Sequence, residues 1–138
     1  MDTPPPRPKP QPTAETRAYW EGARNGKLLV QRCADCGRQQ FYPRAFCTAC
    51  LSERIDWVEA KGSGQVVTFT ICRIAAHPAL TPPYAVALIE LDEGVRLLAN
   101  LVDGALDAIR CGARVRVRFE RLDDEITLPQ FTLVPEAP

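Results

Sequence analysis

Cys33-Ala34-Asp35-Cys36-Gly37, answered by Cys47-Thr48-Ala49-Cys50, is the stretch that decides how this chain is read. Each Cys-x-x-Cys pair sets two thiolates on one side of a tight turn, and two such turns facing each other make a tetrahedral S4 site. Gly37 suits such a knuckle, because a residue without a Cβ turns sharply and aims backbone N–H groups at sulfur. The metal expected on Cys33, Cys36, Cys47 and Cys50 is zinc. Iron fits the same four sulfurs, and spacing does not separate the two. Two disulfides, or one redox pair, are the competing readings. A redox pair leaves the second pair of identical spacing unexplained, and no secretory signal precedes the cysteines. Four thiolates fill the coordination sphere, so the site reads as structural and not catalytic.

Outward from the knuckles, residues 27–32 (KLLVQR) read as the strand leading in. Residues 39–46 (QQFYPRAF) read as the return strand, broken at Pro43. Phe41, Tyr42 and Phe46 are expected to wall the metal from water. Arg44 offers a cation to an acidic partner or a phosphate, with plain solvation as its default. Upstream, a helix is expected from an N-cap at Thr13 to about Arg24, stopped by Asn25-Gly26. Its Tyr19 and Trp20 either pack on the chain's own ribbon and barrel or dock another protein. Residues 1–12 carry Pro4, Pro5, Pro6, Pro8, Pro10 and Pro12, and read as an extended, disordered tail.

After Leu51-Ser52 the chain becomes strand after strand. Gly62 and Gly64 suggest a bend or bulge at the start of a strand over residues 65–74. A proline-rich loop covers 75–83. Residues 84–91 (YAVALIEL) are apolar on both faces and read as a central strand. Asp92-Glu93-Gly94 is a hairpin turn, and residues 95–102 pair back. Residues 103–112 read as a short helix or irregular crossover. Residues 114–121 alternate, with Val115, Val117 and Phe119 inward. The last strand spans 126–134, with Pro129 marking an edge or a bulge, and residues 135–138 fray. The expected fold class is mainly β: an N-terminal helix, a zinc ribbon, then a five-stranded OB-fold barrel. The expected division is tail 1–12, helix and ribbon 13–54, barrel 55–135.

The totals exclude several functions. The chain has 138 residues, 46% of them apolar, with 17 basic and 17 acidic side chains. Four thiolates and one divalent ion make it slightly acidic, a poor match to tight nucleic-acid binding. No apolar run is long enough to span a bilayer, and no signal-peptide core is present, so the expectation is cytoplasmic with reduced cysteines. The lone His77 has no nucleophile or acid assigned to it. Cys72 and Cys111 read as buried filler. Glu90, Asp92, Asp123, Asp124 and Glu125 read as solvated strand-end carboxylates. Arg114, Arg116 and Arg118 share one strand face. Such a stripe suits a single-stranded nucleic-acid backbone or the phosphates of a coenzyme A nucleotide. Pairing with neighbours such as Glu90 is the stronger reading.

The order of the pieces is more specific than any one of them. Tyr19-Trp20-Glu21-Gly22, Lys27-Leu28, the four cysteines and Tyr42-Pro43-Arg44 are followed by Pro83-Tyr84-Ala85-Val86-Ala87-Leu88. Leu91-Asp92-Glu93-Gly94-Val95-Arg96 and Leu128-Pro129-Gln130-Phe131 complete the series. Over roughly residues 13–135 this resembles the DUF35 family. The resemblance implies a rubredoxin-like zinc ribbon joined to an OB-fold. It also implies an accessory role: members look like partners of thiolase-like enzymes, including aldolases, acyltransferases and hydroxymethylglutaryl-CoA synthases. The function so implied is a non-catalytic subunit that binds a thiolase-superfamily enzyme and supports acyl-CoA chemistry, with acyl-CoA as a further candidate ligand. Tyr19, Trp20 and Arg44 are the candidate partner-binding residues. Arg114, Arg116 and Arg118 are the candidate phosphate ligands. The four metal cysteines carry over position by position, and no catalytic residue does. The competing function is a single-stranded nucleic-acid-binding OB-fold.

Overall fold

The computed structural model describes residue 3 and residues 5–135. Pro4 of the expected tail and residues 136–138 of the expected fraying end lie outside the described residues.

Helix α1 spans Arg17–Arg24, shorter than the expected start at Thr13. Residues 14–16 form a turn ahead of it. Thr13 and Thr16 cap this turn reciprocally: Thr13 N–H donates to Thr16 Oγ1 at 2.8 Å, and Thr16 N–H donates to Thr13 Oγ1 at 3.3 Å. That exchange is the logic of a capping box. Asn25 and Gly26 end the helix as expected, their N–H groups donating to Gly22 O and Ala23 O at 3.0 Å each.

The ribbon is a three-stranded antiparallel sheet in the order β2-β1-β3. Its strands are β1 Leu29–Cys33, β2 Gln39–Gln40 and β3 Ile55–Glu59. The expected return strand over 39–46 shrinks to two residues. Pro43 brings no N–H, and the side-chain amides of Gln31 and Gln40 take over the backbone groups that follow. The sheet also runs past residue 54, the expected edge of the ribbon. β3 pairs with β1 along its whole length, from Leu29 opposite Glu59 to Cys33 opposite Ile55.

Five strands close the barrel in the order β4-β5-β6-β8-β7. They are β4 Ser63–Cys72, β5 Tyr84–Leu91, β6 Arg96–Leu101, β7 Arg114–Arg121 and β8 Thr127–Leu133. β6 and β7 follow each other in sequence but are not neighbours, so the crossover at 103–112 is real. Its only helical turn is a 3-10 turn at Leu106–Ala108. This topology is the Greek-key OB barrel that the strand pattern predicts. β5 is central, with Ala85, Ala87, Ile89 and Leu91 buried on one face and half-buried residues on the other. Gly64 is needed where β4 crosses β5: a Cβ there would lie 2.4 Å from Glu90 O. The register shift in β4 falls between Val66 and Thr68, not at the glycines.

Helix, ribbon and barrel share one core. Tyr19, Leu28 and Val30 belong to the same buried cluster as Val66, Ile89, Leu97, Val115 and Phe131. Among the described residues of the proline-rich stretch there is no helix or ladder, as expected, yet the stretch is not free. Arg7 pairs with Glu120 at 3.4 Å, and Lys9 pairs with Asp123 and Glu125 at 2.9 Å each.

Candidate metal centre and docking faces

The two knuckles are built alike. Gly37 N–H donates to Cys33 O and Leu51 N–H to Cys47 O, each at 2.9 Å. These closures bring the four Sγ atoms within 4.8 Å of one another. Cys33 Sγ lies 3.5 Å from Cys50 Sγ, and Cys36 Sγ lies 3.6 Å from Cys47 Sγ. A tetrahedral ion at about 2.3 Å from each sulfur sets edges of about 3.8 Å, so the quartet fits one ion. All four cysteines are free, and the separations are far longer than the ~2.0 Å of a disulfide. The disulfide reading therefore falls. Cys33 and Cys47 are buried, while Cys36 and Cys50 reach the surface.

Electrostatics also call for a cation. The Cys36 backbone N–H, 3.4 Å from Cys33 Sγ, leads the donors that hold the Cys33 thiol down to about 6. The backbone N–H groups of Cys50 and Ala49 lower Cys47 in the same way. The Ser52 backbone bond would lower Cys50 too, but Cys33, Cys36, Cys47 and burial outweigh it and push Cys50 up to about 12. Four thiolates this close do not ionise together without a positive ion between them. The donor set therefore suits a bound metal ion, and it leaves no position for water or substrate.

Behind the knuckles lies a pair of buried amides that sequence reading missed. Gln40 Nε2 donates to Gln31 Oε1 at 2.8 Å and to Phe46 O at 3.1 Å. Gln31 Nε2 donates to Arg44 O, and Arg44 N–H donates back to Gln31 Oε1, both at 2.8 Å. Thr48 N–H reaches Gln40 Oε1 at 2.9 Å. The loop carrying Cys47 thus hangs on two side chains. The available signal was a glutamine at an inward position of each short strand.

The aromatics do not wall the metal. Phe41 packs against Tyr19, ring centroids 5.2 Å apart, and Tyr42 and Phe46 are exposed. Phe41 and Tyr42, together with Tyr19 and Trp20, form the joint between helix, ribbon and barrel. Of the two readings for the helix, packing within the chain accounts for Tyr19, which is only 8% exposed. Trp20 is half-buried beside it, ring centroids 4.9 Å apart. Arg44 has an exposed side chain and uses its backbone on Gln31.

The arginine stripe is mostly neutralised, although not by Glu90. Arg114 meets Asp92 with two bonds of 3.0 Å, and Arg118 pairs with Asp103. Glu90 instead pairs with Arg96 at 3.5 Å. Arg116 has no carboxylate within reach among the described residues. A cleft of about 730 Å³ beside the crossover is lined by Arg110 and Arg114 with Ala105, Ala113 and Leu133. His77 is spent locally, its Nδ1 accepting from Ala79 N–H at 3.0 Å. Cys111 is exposed and Cys72 half-buried, so neither is the buried filler expected. Asp123, Asp124 and Glu125 are held in ion pairs, beyond mere solvation. No helix among the described residues is long and apolar enough to cross a membrane.

Known proteins align with both halves. Residues 20–56 match the family described as ChsH2, rubredoxin-like zinc ribbon domain, and residues 57–120 match ChsH2, C-terminal OB-fold domain. A probable enoyl-CoA hydratase alpha subunit of Thermomonospora curvata is 41% identical over 91% of this chain and 39% of its own length. The chain thus spans about two fifths of that relative. A DUF35 domain-containing scaffold protein of Pyrococcus furiosus is 32% identical over 72% of this chain and 74% of its own. Among solved structures, one described as Ltp2-ChsH2(DUF35) aldolase matches with a TM-score of 0.84 and 39% identity. It covers 91% of this chain and 98% of that one.

Proposed function

The chain belongs to the DUF35 family, and on that premise we propose that it is a non-catalytic accessory subunit of a thiolase-superfamily enzyme. That enzyme is a thiolase, aldolase or acyltransferase working on acyl-CoA. The observation that carries this reading is the match, along ribbon and barrel together, to nearly the whole of a chain named with an aldolase. A metal centre with all four positions taken by thiolates supports it, as does a single histidine already used by its own loop.

The ion is zinc, held by Cys33, Cys36, Cys47 and Cys50, and what it supplies is a rigid cross-link for a ribbon too small to fold on apolar burial alone. Free thiols gathered around one ion support a cytoplasmic location. Trp20 and Arg44 face the partner, with Tyr19 fixing Trp20 from behind. Of the three stripe arginines, Arg116 remains for a phosphate such as that of acyl-CoA, two residues along β7 from Arg114, which lines the cleft with Arg110. A nucleic-acid role has less support, because Arg114 and Arg118 already meet carboxylates.

The test is purification of the tagged full chain from its native cell, with identification of stoichiometric partners. A thiolase-superfamily enzyme is expected, retained less well by Trp20→Ala and lost on chelation. Full activity and stability of that enzyme without this chain, or acyl-CoA turnover by the pure chain, overturns the reading.

A further inference from the structure

The barrel has a gap in its wall, and its chemistry specifies what fills it. β6 and β8 run parallel but share one register pair, Leu101 opposite Phe131. Val102 N–H donates to Phe131 O at 2.8 Å, and there the ladder ends. Backbone groups of a strand face its two neighbours alternately. With Val102 facing β8, Asn100 and Leu98 face it too. On β8, the residue after Phe131 that faces β6 is Pro129. Its carbonyl is open to Asn100 N–H, but proline has no N–H to give Leu98 O, so the ladder cannot run on past residue 129. The strands part, and a cleft of about 260 Å³ opens between Leu98–Asn100 and Leu128–Gln130, walled by Trp20 and Tyr42.

Two features mark the cleft as unfinished. Gln130 is 4% exposed, and its Oε1 has no hydrogen-bond partner. Burying an acceptor unpaired costs about 1–3 kcal/mol unless something donates to it. The rim is apolar and open: Leu98 is 59% exposed and Tyr42 48%. Leu98 N–H is met only by the Tyr42 hydroxyl, at 3.3 Å.

We propose that this cleft takes an extended, alternately apolar segment of the partner enzyme, added as a strand along the free edge of β6. A strand brings an N–H for Leu98 O and a carbonyl for Asn100 N–H, and side chains for Leu98 and Trp20. A helix has its N–H groups already bonded, and an acyl chain has none to give. The identity of the occupant rests on the accessory-subunit reading; the cleft's ability to accept a strand does not.

The probe is a phage-displayed random heptapeptide library selected against the metal-loaded full chain. Selected peptides are expected to alternate apolar and polar residues and to protect the amides of residues 98–100 from exchange. Leu98→Arg should weaken them at least tenfold by filling the cleft. Pro129→Ala should weaken them by restoring the N–H that lets β8 close on β6. Ile74→Arg, at an exposed apolar position elsewhere, serves as the control and should change nothing. Failure to select any peptide, or peptides indifferent to Leu98→Arg, overturns the strand site. Leu98 is exposed, so that variant tests the idea even if Pro129→Ala does not fold. Co-purification of the enzyme that survives Leu98→Arg overturns the enzyme segment as occupant. Peptide binding with no enzyme ever co-purifying overturns the accessory reading and leaves the strand site standing.

Discussion

Gly37 and Leu51 hold the same place in the two knuckles of one metal centre. Each follows the second cysteine of its pair, each has positive φ, at 76° and 65°, and each N–H closes on the carbonyl of the first cysteine. Glycine takes that conformation freely, whereas a leucine loses about 1–2 kcal/mol to it. Leu51 is also 70% exposed, so little packing offsets the loss. Leu51→Gly should therefore stabilise the metal-loaded chain by about 1 kcal/mol, after the extra freedom of the unfolded glycine is subtracted. Denaturant melts check this, and Leu51→Ala, which keeps a Cβ, should bring no comparable gain.

Gln40 carries a second prediction. Gln40→Leu orphans Thr48 N–H and Phe46 O and removes a donor from Gln31, with about 1–3 kcal/mol lost per buried group left unpaired. Groups that hold a metal loop in place change metal affinity by about 10–100-fold when removed. Competition with a chromophoric chelator should show that weakening. Unchanged affinity in a folded Gln40→Leu chain contradicts the positioning role.

Metal removal should act unevenly. The ribbon is three short strands around the sulfur quartet, while the barrel closes on its own ladder. Structural zinc contributes about 10–16 kcal/mol to folding in the smallest ribbons. Chelation should expose the amides of Leu29–Cys33 and Ile55–Glu59 to exchange and leave β4, β5 and β7 protected. Elemental analysis of the untreated protein should find one zinc per chain.

The tail latch should respond to acid and salt. Asp123 is held down at about 2, first by Lys9 and then by the backbone N–H groups of Ile126 and Glu125. A carboxyl lowered on folding adds stability above its unfolded value of 3.8, and the contribution fades as pH falls toward about 2. The latch is therefore intact at neutral pH and is lost between about pH 4 and pH 2. Because Lys9 and its partners are exposed, salt should loosen it as well. NMR relaxation of the backbone at residues 7 and 9 measures both, and Asp123→Asn should give the loosened state at pH 7.

Gly64 tests barrel closure. A Cβ there meets Glu90 O at 2.4 Å, and that atom is backbone, which cannot swing aside. Gly64→Ala should cost about 1–3 kcal/mol or more, as overpacking does. Equilibrium unfolding should show a lower midpoint with the same slope.

Local signals were legible from the chain. β7 lies where alternation puts it, β5 lies where a run apolar on both faces puts it, and Pro129 sits at the parted edge that a proline in a strand announces. The two Cys-x-x-Cys pairs announce the four sulfurs that the fold gathers. Other features were not legible because they depend on distant partners. Ile55–Glu59 reads like any barrel strand, yet β1 offers it an edge and it joins the ribbon. Phe41 reads as cover for the metal, yet it packs against Tyr19 on the helix. Arg118 reads as the partner of a neighbour such as Glu90, yet the crossover brings Asp103 beside it.

By itself the sequence determined a sulfur quartet and the run of five barrel strands, because knuckle turns and two-residue periodicity involve only neighbours along the chain. Only the tertiary structure decided that Gln31 and Gln40 suspend the Cys47 loop, that Tyr19 is core and that a cleft parts β6 from β8. Each of these needs the register between segments tens of residues apart, and that register is set when helix, ribbon and barrel bury one shared core.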